Sequence, residues 1–238
     1  MPRILNIKEL EPTNAAFNLA VDECAQVLMA GGIACIPTDS VYGFAATTPL
    51  AAEKICILKG RPLTQKFPLL ISAADDLDIY AQNVTVAARS LANAFWPGAL
   101  TLVVEASDAL PYELMEEDGS VALRVPDSAF AQVLIKKIGP LATTSANIHT
   151  KDAAACLEDL DEVLLETVDI AIDGGRTKEQ QASTIVDVRK EIAQTFHDGE
   201  IQKGANAPRK EPLSGARILR IGSIAEQDIW GSLHAKTK

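Results

Sequence analysis

The chain has 238 residues, of which 47% are hydrophobic, and a formal net charge of −10. This apolar content excludes an intrinsically disordered protein, and the acidic charge argues against non-specific binding to nucleic acid. No apolar run approaches the ~18 residues of a membrane-spanning helix, and the N-terminus lacks a signal-peptide pattern. The four cysteines form no Cys-x-x-Cys pair, which favours buried thiols in a reducing compartment. We therefore expect a soluble cytoplasmic protein without membrane contact.

Helices and strands alternate along most of the sequence. Apolar periodicity predicts helices at 13–30, 49–58, 84–95, 128–138 and 152–165, and a short helical turn at 75–81. It predicts strands at 33–36, 67–71, 100–105, 121–125, 141–144, 168–172, 184–188 and 192–196, the last two as a hairpin. This order predicts an α/β fold, with one domain built on a large twisted mixed sheet flanked by helices. We place that domain at 13–201, and a polar linker or C-terminal tail at 202–238 with an edge strand at 218–221.

A polar loop follows the first of these strands. The sequence Pro37-Thr38-Asp39-Ser40-Val41-Tyr42-Gly43 places four hydrogen-bonding side chains in five positions. Pro37 is expected to end the strand, and Gly43 to let the backbone turn. Loops at strand ends are where open α/β sheets bind ligands, although an ordinary polar turn would have the same composition.

Cations are concentrated at a helix end and at a strand end. Lys59, Arg61 and Lys66 lie within eight residues, and Arg124 lies near the carboxyl end of the strand predicted at 121–125. The first group either complements the helix dipole or binds an anion such as phosphate or carboxylate. Arg124 either lies at the surface or faces a ligand crevice, because an unpaired buried charge is costly.

Hydroxyl and amide side chains follow two further strands. One group is Thr143-Thr144-Ser145-Ala146-Asn147 and the other is Ser183-Thr184, and each suits either a turn or a cradle for ligand oxygens. The sequence has no G-x-x-x-x-G-K-[ST] loop, no G-x-G-x-x-G fingerprint and no G-x-S-x-G elbow. These absences argue against P-loop, Rossmann and α/β-hydrolase sites. The three histidines have no metal-ligand spacing.

Seven sequence blocks occur in an order that resembles one known family, the YrdC-like threonylcarbamoyl-AMP synthases. The blocks are Pro37-Thr38-Asp39-Ser40-Val41-Tyr42-Gly43, Lys59-Gly60-Arg61-Pro62, Phe95-Trp96-Pro97-Gly98 with Leu100-Thr101-Leu102-Val103, Leu123-Arg124-Val125-Pro126, Ser145-Ala146-Asn147, Asp173-Gly174-Gly175, and Ser183-Thr184 through Asp187. The resemblance spans about 13–201. The chain is too short for the extra C-terminal domain of the family's long form.

The resemblance implies a nucleotidyltransferase that makes threonylcarbamoyl-adenylate and pyrophosphate from L-threonine, bicarbonate and ATP. This is the first step of the N6-threonylcarbamoyladenosine modification of tRNA at position 37. The implied catalytic residues are Lys59 and Arg61, and the implied ATP-binding residues are Lys59, Arg61, Lys66, Ser145, Asn147 and His197. The implied threonine-binding residues are Thr38, Ser40, Ser72, Arg124, Thr143 and Ser183. Mg²⁺ would be held through the ATP phosphates, and the product would pass to threonylcarbamoyl-transfer proteins.

Three features depart from the family pattern. Ile148-His149-Thr150 replaces the usual Leu-Ser-Gly, and His197-Asp198-Gly199 is assigned the position of an Arg-Pro-Gly sequence. The spacing from Arg61 to Pro68 is also longer than usual. Two alternative functions stay open: an RNA-binding or ribosome-associated module of the same fold, and a carbamoyl-transferring relative that acts on another amine. The acidic pI argues against the first and predicts only weak contact with tRNA.

Overall fold

The computed structural model describes residues 2–148, 151–189 and 215–234. The strands are β1 Arg3–Asn6, β2 Ala34–Ile36, β3 Gly43–Ala46, β4 Leu69–Leu70, β5 Ala81–Gln82, β6 Leu100–Ala106, β7 Ser120–Arg124, β8 Leu141–Ser145, β9 Ile170–Asp173, β10 Thr184–Asp187 and β11 Arg217–Arg220. The helices are α1 Ala15–Met29, α2 Pro49–Lys59, α3 Leu77–Tyr80, α4 Val86–Phe95, α5 Ala129–Ile138, α6 Glu162–Glu166 and α7 Glu226–His234. None of these helices is long and apolar enough to cross a bilayer.

All the described strands join one sheet of mixed direction. Its order is β1-β9-β2-β3-β8-β4-β7-β6-β10-β11, and β5 pairs with β6 beside this path. The pairs β1–β9, β2–β9, β4–β7 and β6–β10 are parallel, and the other pairs are antiparallel. The predicted α/β fold with a large mixed sheet is therefore confirmed.

Alternate residues of the strands point to two apolar cores on opposite faces of the sheet. One core joins α1 and α5, whose Phe17 and Phe130 rings meet edge to face with their centroids 5.8 Å apart. The other core contains apolar residues of α2 and α4 and Ile229 of α7. Burial on both faces explains why several strand segments read as continuous apolar runs rather than as alternating patterns.

Helix α2 positions Lys59 and Arg61, and the residues at its two ends explain where it begins and where it stops. The Thr48 side chain accepts a hydrogen bond from the Ala51 amide, and Pro49 occupies the first turn. Gly60 ends the helix in the left-handed region at φ 64°, where the lack of a Cβ relieves the steric cost. The chain thus leaves the helix directly after Lys59, which places Arg61 in the following loop.

Two local predictions are wrong. Residues 152–165 do not form one helix, because the carbonyls of Ala154 and Ala155 accept hydrogen bonds from the amides of Tyr42 and Thr177. This segment is therefore bound to neighbouring loops before helix α6 begins. Gly43 is not a turn residue but the first residue of β3, paired with Ile36 and Ser145. A Cβ at Gly43 would lie 2.7 Å from Cγ2 of Thr143, so glycine is needed there for close strand packing.

The edge strand predicted at 218–221 is confirmed as β11, which pairs antiparallel with β10. Helix α7 contacts α4, so residues 217–234 of the predicted tail pack onto the domain. The other half of the predicted hairpin, 192–196, lies outside the described residues. The division of the chain at residue 201 stays a prediction.

Candidate functional site

Nine of the predicted site residues line one pocket of about 380 Å³. They come from the loop after β2, from the end of α2 and the loop beyond it, from β7, from β8 and the loop after it, and from the residue before β10. These nine are Thr38, Ser40, Lys59, Arg61, Arg124, Thr143, Ser145, Asn147 and Ser183. Thr143 and Ser145 occupy alternate positions of β8 and so share one face of the sheet. The pocket therefore extends across a sheet face as well as along the loops at strand ends.

Charge in this pocket has one sign. Lys59, Arg61, Arg124 and Arg220 all line it, and no aspartate or glutamate does. Among the described residues, only Arg124 of these four has a carboxylate partner within ion-pair distance. Four cations beside clustered hydroxyl groups suit a ligand that carries several negative oxygens.

Lys59 is buried, and its ammonium contacts three acceptors. Its Nζ donates to the carbonyl oxygen of Ser145, to the carbonyl oxygen of Asn147 at 2.6 Å and to Oδ1 of Asn147 at 2.9 Å. It also lies 5.9 Å from the centroid of the Phe44 ring. Burial, followed by the nearby charge of Arg61, lowers the pKa of Lys59 to about 8. The ammonium is thus still mostly charged at neutral pH and orders the loop after β8.

Arg61 is only partly satisfied by protein groups. Nη1 donates to Oγ1 of Thr144 at 3.2 Å, and Nη2 donates to the carbonyl oxygen of Lys66 at 3.0 Å. Its guanidinium lies 5.1 Å from the centroid of the Phe67 ring. The buried Nε has no partner among the described residues, and burial lowers the pKa of the guanidinium. An unsatisfied buried donor in a pocket favours an acceptor supplied by a ligand.

Arg124 forms a buried ion pair with Asp39. Nη2 donates to Oδ1 of Asp39 at 2.7 Å, and the two side chains are 7% and 1% exposed. Nη1 donates to Oγ of Ser40 at 2.8 Å, and Nε donates to the carbonyl oxygen of Gly98 at 3.0 Å. A guanidinium has five N–H donors, so two remain for a ligand. Asp39 and Ser40 therefore fix the orientation of Arg124 without saturating it.

Hydrogen bonds join the loop after β2 to the loop after β9. The Tyr42 hydroxyl donates to the carbonyl oxygen of Gly175 at 2.8 Å and accepts from the amide of Gly174 at 3.0 Å. The Thr177 hydroxyl donates to the carbonyl oxygen of Ser40 at 2.9 Å. Within the loop, the Thr38 hydroxyl donates to the carbonyl oxygen of Val41 at 2.6 Å. These bonds give the Asp173-Gly174-Gly175 block a structural role beside the pocket.

The pocket residues that the sequence analysis did not assign to the site include Arg220 and Thr101. Arg220 ends β11; its Nε and Nη2 donate to the carbonyl oxygen of Ser183 at 3.1 and 2.8 Å. Partial desolvation, then Arg124 and Arg61, lower the pKa of Arg220. Arg220-Ile221-Gly222 resembles the Arg-Pro-Gly sequence whose position the sequence analysis assigns to His197-Asp198-Gly199. It was missed because it lies beyond the predicted end of the domain.

Three predicted residues are not seen in the pocket. The Ser72 hydroxyl donates to Oδ2 of Asp76 at 2.6 Å, and Ser72 does not line the pocket. Lys66 does not line it either; its amide donates to Oε1 of Glu116 and its carbonyl accepts from Arg61. His197, like His149, lies outside the described residues. The ligand roles of these residues stay predictions.

No group of three or more histidine, cysteine, aspartate or glutamate side chains that could hold a metal ion occurs in the described part of the chain. The cations and hydroxyls of the pocket are likewise poor ligands for a divalent metal, which prefers carboxylate and carbonyl oxygens.

Comparison of the sequence with known proteins identifies its relatives. A family model described as telomere recombination, Sua5_yciO_yrdC, matches residues 26–199. A protein of Mycobacterium leprae named putative threonylcarbamoyl-AMP synthase is 33% identical over 89% of this chain and 90% of its own length. The human threonylcarbamoyl-AMP synthase is 31% identical over 76% of this chain and 67% of its own length.

Solved structures of Sua5 and YciO have the same fold. P. abyssi Sua5 complexed with L-threonine superimposes with a TM-score of 0.70 and 30% identity, over 77% of this chain and 54% of the Sua5 chain. E. coli YciO superimposes with a TM-score of 0.70 and 26% identity, over 80% of this chain and 92% of its own. This chain thus spans little more than half of the Sua5 chain. By sequence match and by fold, the protein belongs to the Sua5/YciO/YrdC family.

Proposed function

We propose that this protein is a threonylcarbamoyl-AMP synthase that uses L-threonine, bicarbonate and ATP and releases pyrophosphate. The observation that carries the proposal is the pocket itself, in which four cations and several hydroxyls converge with no carboxylate among the lining residues. Relatives named threonylcarbamoyl-AMP synthase, which include one aligned over nine-tenths of both chains, support the same activity. They do not support the alternative of an RNA-binding module without synthase activity.

The reaction places negative charge where the pocket has cations. The amine of threonine and bicarbonate form a carbamate with loss of water, and a carbamate oxygen then attacks the α-phosphorus of ATP. The bond between the α-phosphorus and the bridging oxygen breaks, and pyrophosphate leaves. Such a transfer needs alignment of the reactants and stabilisation of charge rather than a covalent nucleophile.

Lys59, Arg61 and Arg220 are proposed to bind the phosphate groups. All three line the pocket, and none has a carboxylate partner among the described residues. The unpaired Nε of Arg61 supplies a donor that a phosphate oxygen would satisfy. Ser145 and Asn147 hold Lys59 and bring the loop after β8 beside the phosphates. Mg²⁺ would enter bound to ATP and neutralise phosphate charge there.

Arg124 is proposed to bind the carboxylate of threonine. Its two remaining N–H donors suit the two oxygens of a carboxylate. Thr38, Ser40, Thr143 and Ser183 line the same pocket and supply hydroxyls for the other polar atoms of the amino acid. The threonine complex of P. abyssi Sua5 supports an amino-acid site in this fold.

We place the activity in the cytoplasm, since all four cysteines are buried and free. The adenylate product is a reactive mixed anhydride, so we expect a threonylcarbamoyl-transfer protein that acts on tRNA to consume it. Contact of this chain with tRNA itself is expected to be weak, because the net charge is −10.

Pyrophosphate release provides the test. Purified protein is incubated with ATP, Mg²⁺ and bicarbonate, and with threonine, serine, valine or no amino acid. Release that depends on both bicarbonate and threonine is expected, with serine and valine poorer. Equal release without any amino acid would overturn the synthase, and preference for a different amine would favour the carbamoyl-transferring alternative.

A further inference from the structure

We propose that Thr101 is a positioning residue that orients the hydroxyl of Ser183 toward an oxygen of the bound amino acid. The inference rests on the proposed function, in which Ser183 contacts threonine. Thr101 is the second residue of β6 and pairs in register with Ile185 of the parallel strand β10. Both Thr101 and Ser183 line the pocket.

The two hydroxyls form one hydrogen bond in a nearly closed environment. Oγ1 of Thr101 lies 2.8 Å from Oγ of Ser183, and the residues are 1% and 7% exposed. Within the described residues Thr101 Oγ1 has no other hydrogen-bond partner. The neighbouring Thr184 differs, because its hydroxyl donates to the carbonyl oxygen of Ile224. In the described part of the chain, the Thr101 hydroxyl therefore bonds to Ser183 alone.

Counting donors shows what this pair offers to a ligand. Each hydroxyl has one hydrogen and can accept two hydrogen bonds. Nη2 of Arg220 donates to Oγ of Ser183 at 3.2 Å and so occupies one acceptor position. The bond between the two hydroxyls uses one of their two hydrogens. One O–H donor consequently remains for the pocket, whichever of the two hydroxyls donates to the other.

Exposure places this remaining donor on Ser183. Thr101 is almost fully buried and its hydroxyl has no second partner among the described residues, so its hydrogen is satisfied only when Thr101 donates to Ser183. Oγ of Ser183 then accepts from both Thr101 and Arg220, and its own hydrogen points to a third direction. A hydroxyl that accepts two hydrogen bonds is polarised into a better donor. Its partner in a ligand is therefore an acceptor oxygen and not an ammonium group.

Thr101→Val removes the hydroxyl and keeps the branched shape that suits a strand, whereas Thr101→Ser keeps the hydroxyl. We expect Thr101→Val to raise the KM for threonine about threefold to tenfold and to leave the KM for ATP within about twofold. Thr101→Ser should restore the wild-type KM for threonine. The matched control is Thr47→Val, because the half-buried Thr47 hydroxyl donates to the carbonyl oxygen of Leu28 and does not line the pocket. This control should leave both KM values unchanged.

A double variant separates positioning from a general loss of packing. If Thr101 acts through Ser183, Thr101→Val combined with Ser183→Ala should have the same KM for threonine as Ser183→Ala alone. Effects that multiply, or a folded Thr101→Val with an unchanged KM for threonine, would overturn this inference while the synthase assignment stands. A wild-type protein that neither turns over threonine nor binds it in calorimetry would overturn the proposed function, and the inference with it.

Discussion

The pocket and a second charged region of the sheet differ in how their arginines are paired. The second region, which we call the paired cluster, consists of Asp118, Asp187, Arg189 and Arg217. There Arg189 contacts both oxygens of Asp187 and also Asp118, and Arg217 contacts Asp187. In the pocket only Arg124 has a carboxylate partner among the described residues. In the paired cluster the carboxylates neutralise the arginines, whereas the pocket has excess positive charge that an anionic ligand would neutralise.

Removing an unpaired pocket cation should have the largest effect on activity. We expect Arg61→Ala to lower kcat/KM for ATP about 100-fold, since charge-assisted contacts that act on the transition state are worth about 3 kcal/mol. Steady-state pyrophosphate release at varied ATP measures this change. The matched control is Arg189→Ala in the paired cluster, where the nearly buried Asp187 keeps Arg217 as a partner; it should cost about 1–3 kcal/mol of stability and leave kcat/KM intact. Equal kinetic losses in both variants would remove the distinction between the two regions.

The one paired cation of the pocket should affect stability as well as activity. Arg124→Ala leaves the buried Asp39 carboxylate without its partner, which costs about 3–5 kcal/mol of folding free energy. We expect the KM for threonine to rise about 30-fold at the same time. Asp39→Asn combined with Arg124→Gln removes both charges, so denaturant unfolding should show recovered stability without recovered threonine use. Recovery of both would mean that Arg124 supports only the fold.

Arg220 and His197 compete for the role of the arginine that the family pattern requires. Arg220→Ala should raise the KM for ATP about tenfold, because the pocket loses a cation that has no carboxylate partner among the described residues. Since Arg220 already supplies this charge, we expect His197→Ala to leave the KM unchanged. A role of His197 in phosphate binding predicts a different result. The KM for ATP would then rise from about pH 6 to 8, because a histidine at the phosphates is charged only at the lower pH, and His197→Arg would remove this rise.

The depressed pKa of Lys59 predicts a smaller, pH-dependent effect. With a pKa of about 8, the charged fraction of the free enzyme falls from about nine-tenths at pH 7 to about one-tenth at pH 9. The KM for ATP should therefore rise severalfold over this range, as the positive charge is lost. Lys59→Arg keeps its charge throughout and should show a flatter profile. A wild-type KM that is constant from pH 7 to 9 would contradict the role of Lys59 in phosphate binding.

Local sequence signals predicted much of the fold and most of the pocket. Local residues define both ends of helix α2: Thr48 and Pro49 begin it, and Gly60 ends it. The positions of Lys59 and Arg61 therefore followed from the sequence. The strands predicted at 121–125 and 141–144 end within one residue of the observed ends at Arg124 and Ser145. At each of these places, residues adjacent in the sequence were sufficient for the prediction.

The failures arose where distant segments meet. Residues 152–165 have helical periodicity, but Tyr42 and Thr177 bind the backbone of that segment. The hydrogen bond from the Ser72 hydroxyl to Asp76 was not predicted either. Arg220 lies 37 residues after Ser183, and only the pairing of β10 with β11 brings the two together. No local pattern in the polar sequence before Arg220 reveals that pairing.

The central claim is that the pocket cations without a carboxylate partner bind ATP while Arg124 binds threonine, for one coupled reaction. The most direct test is mass spectrometry of the product formed from threonine, ATP and bicarbonate labelled with carbon-13. We expect a threonylcarbamoyl-adenylate whose mass carries the label in the wild-type protein and in Arg189→Ala, and whose yield collapses in Arg61→Ala. An unlabelled adenylate, or a labelled product formed equally well by Arg61→Ala, would contradict the claim.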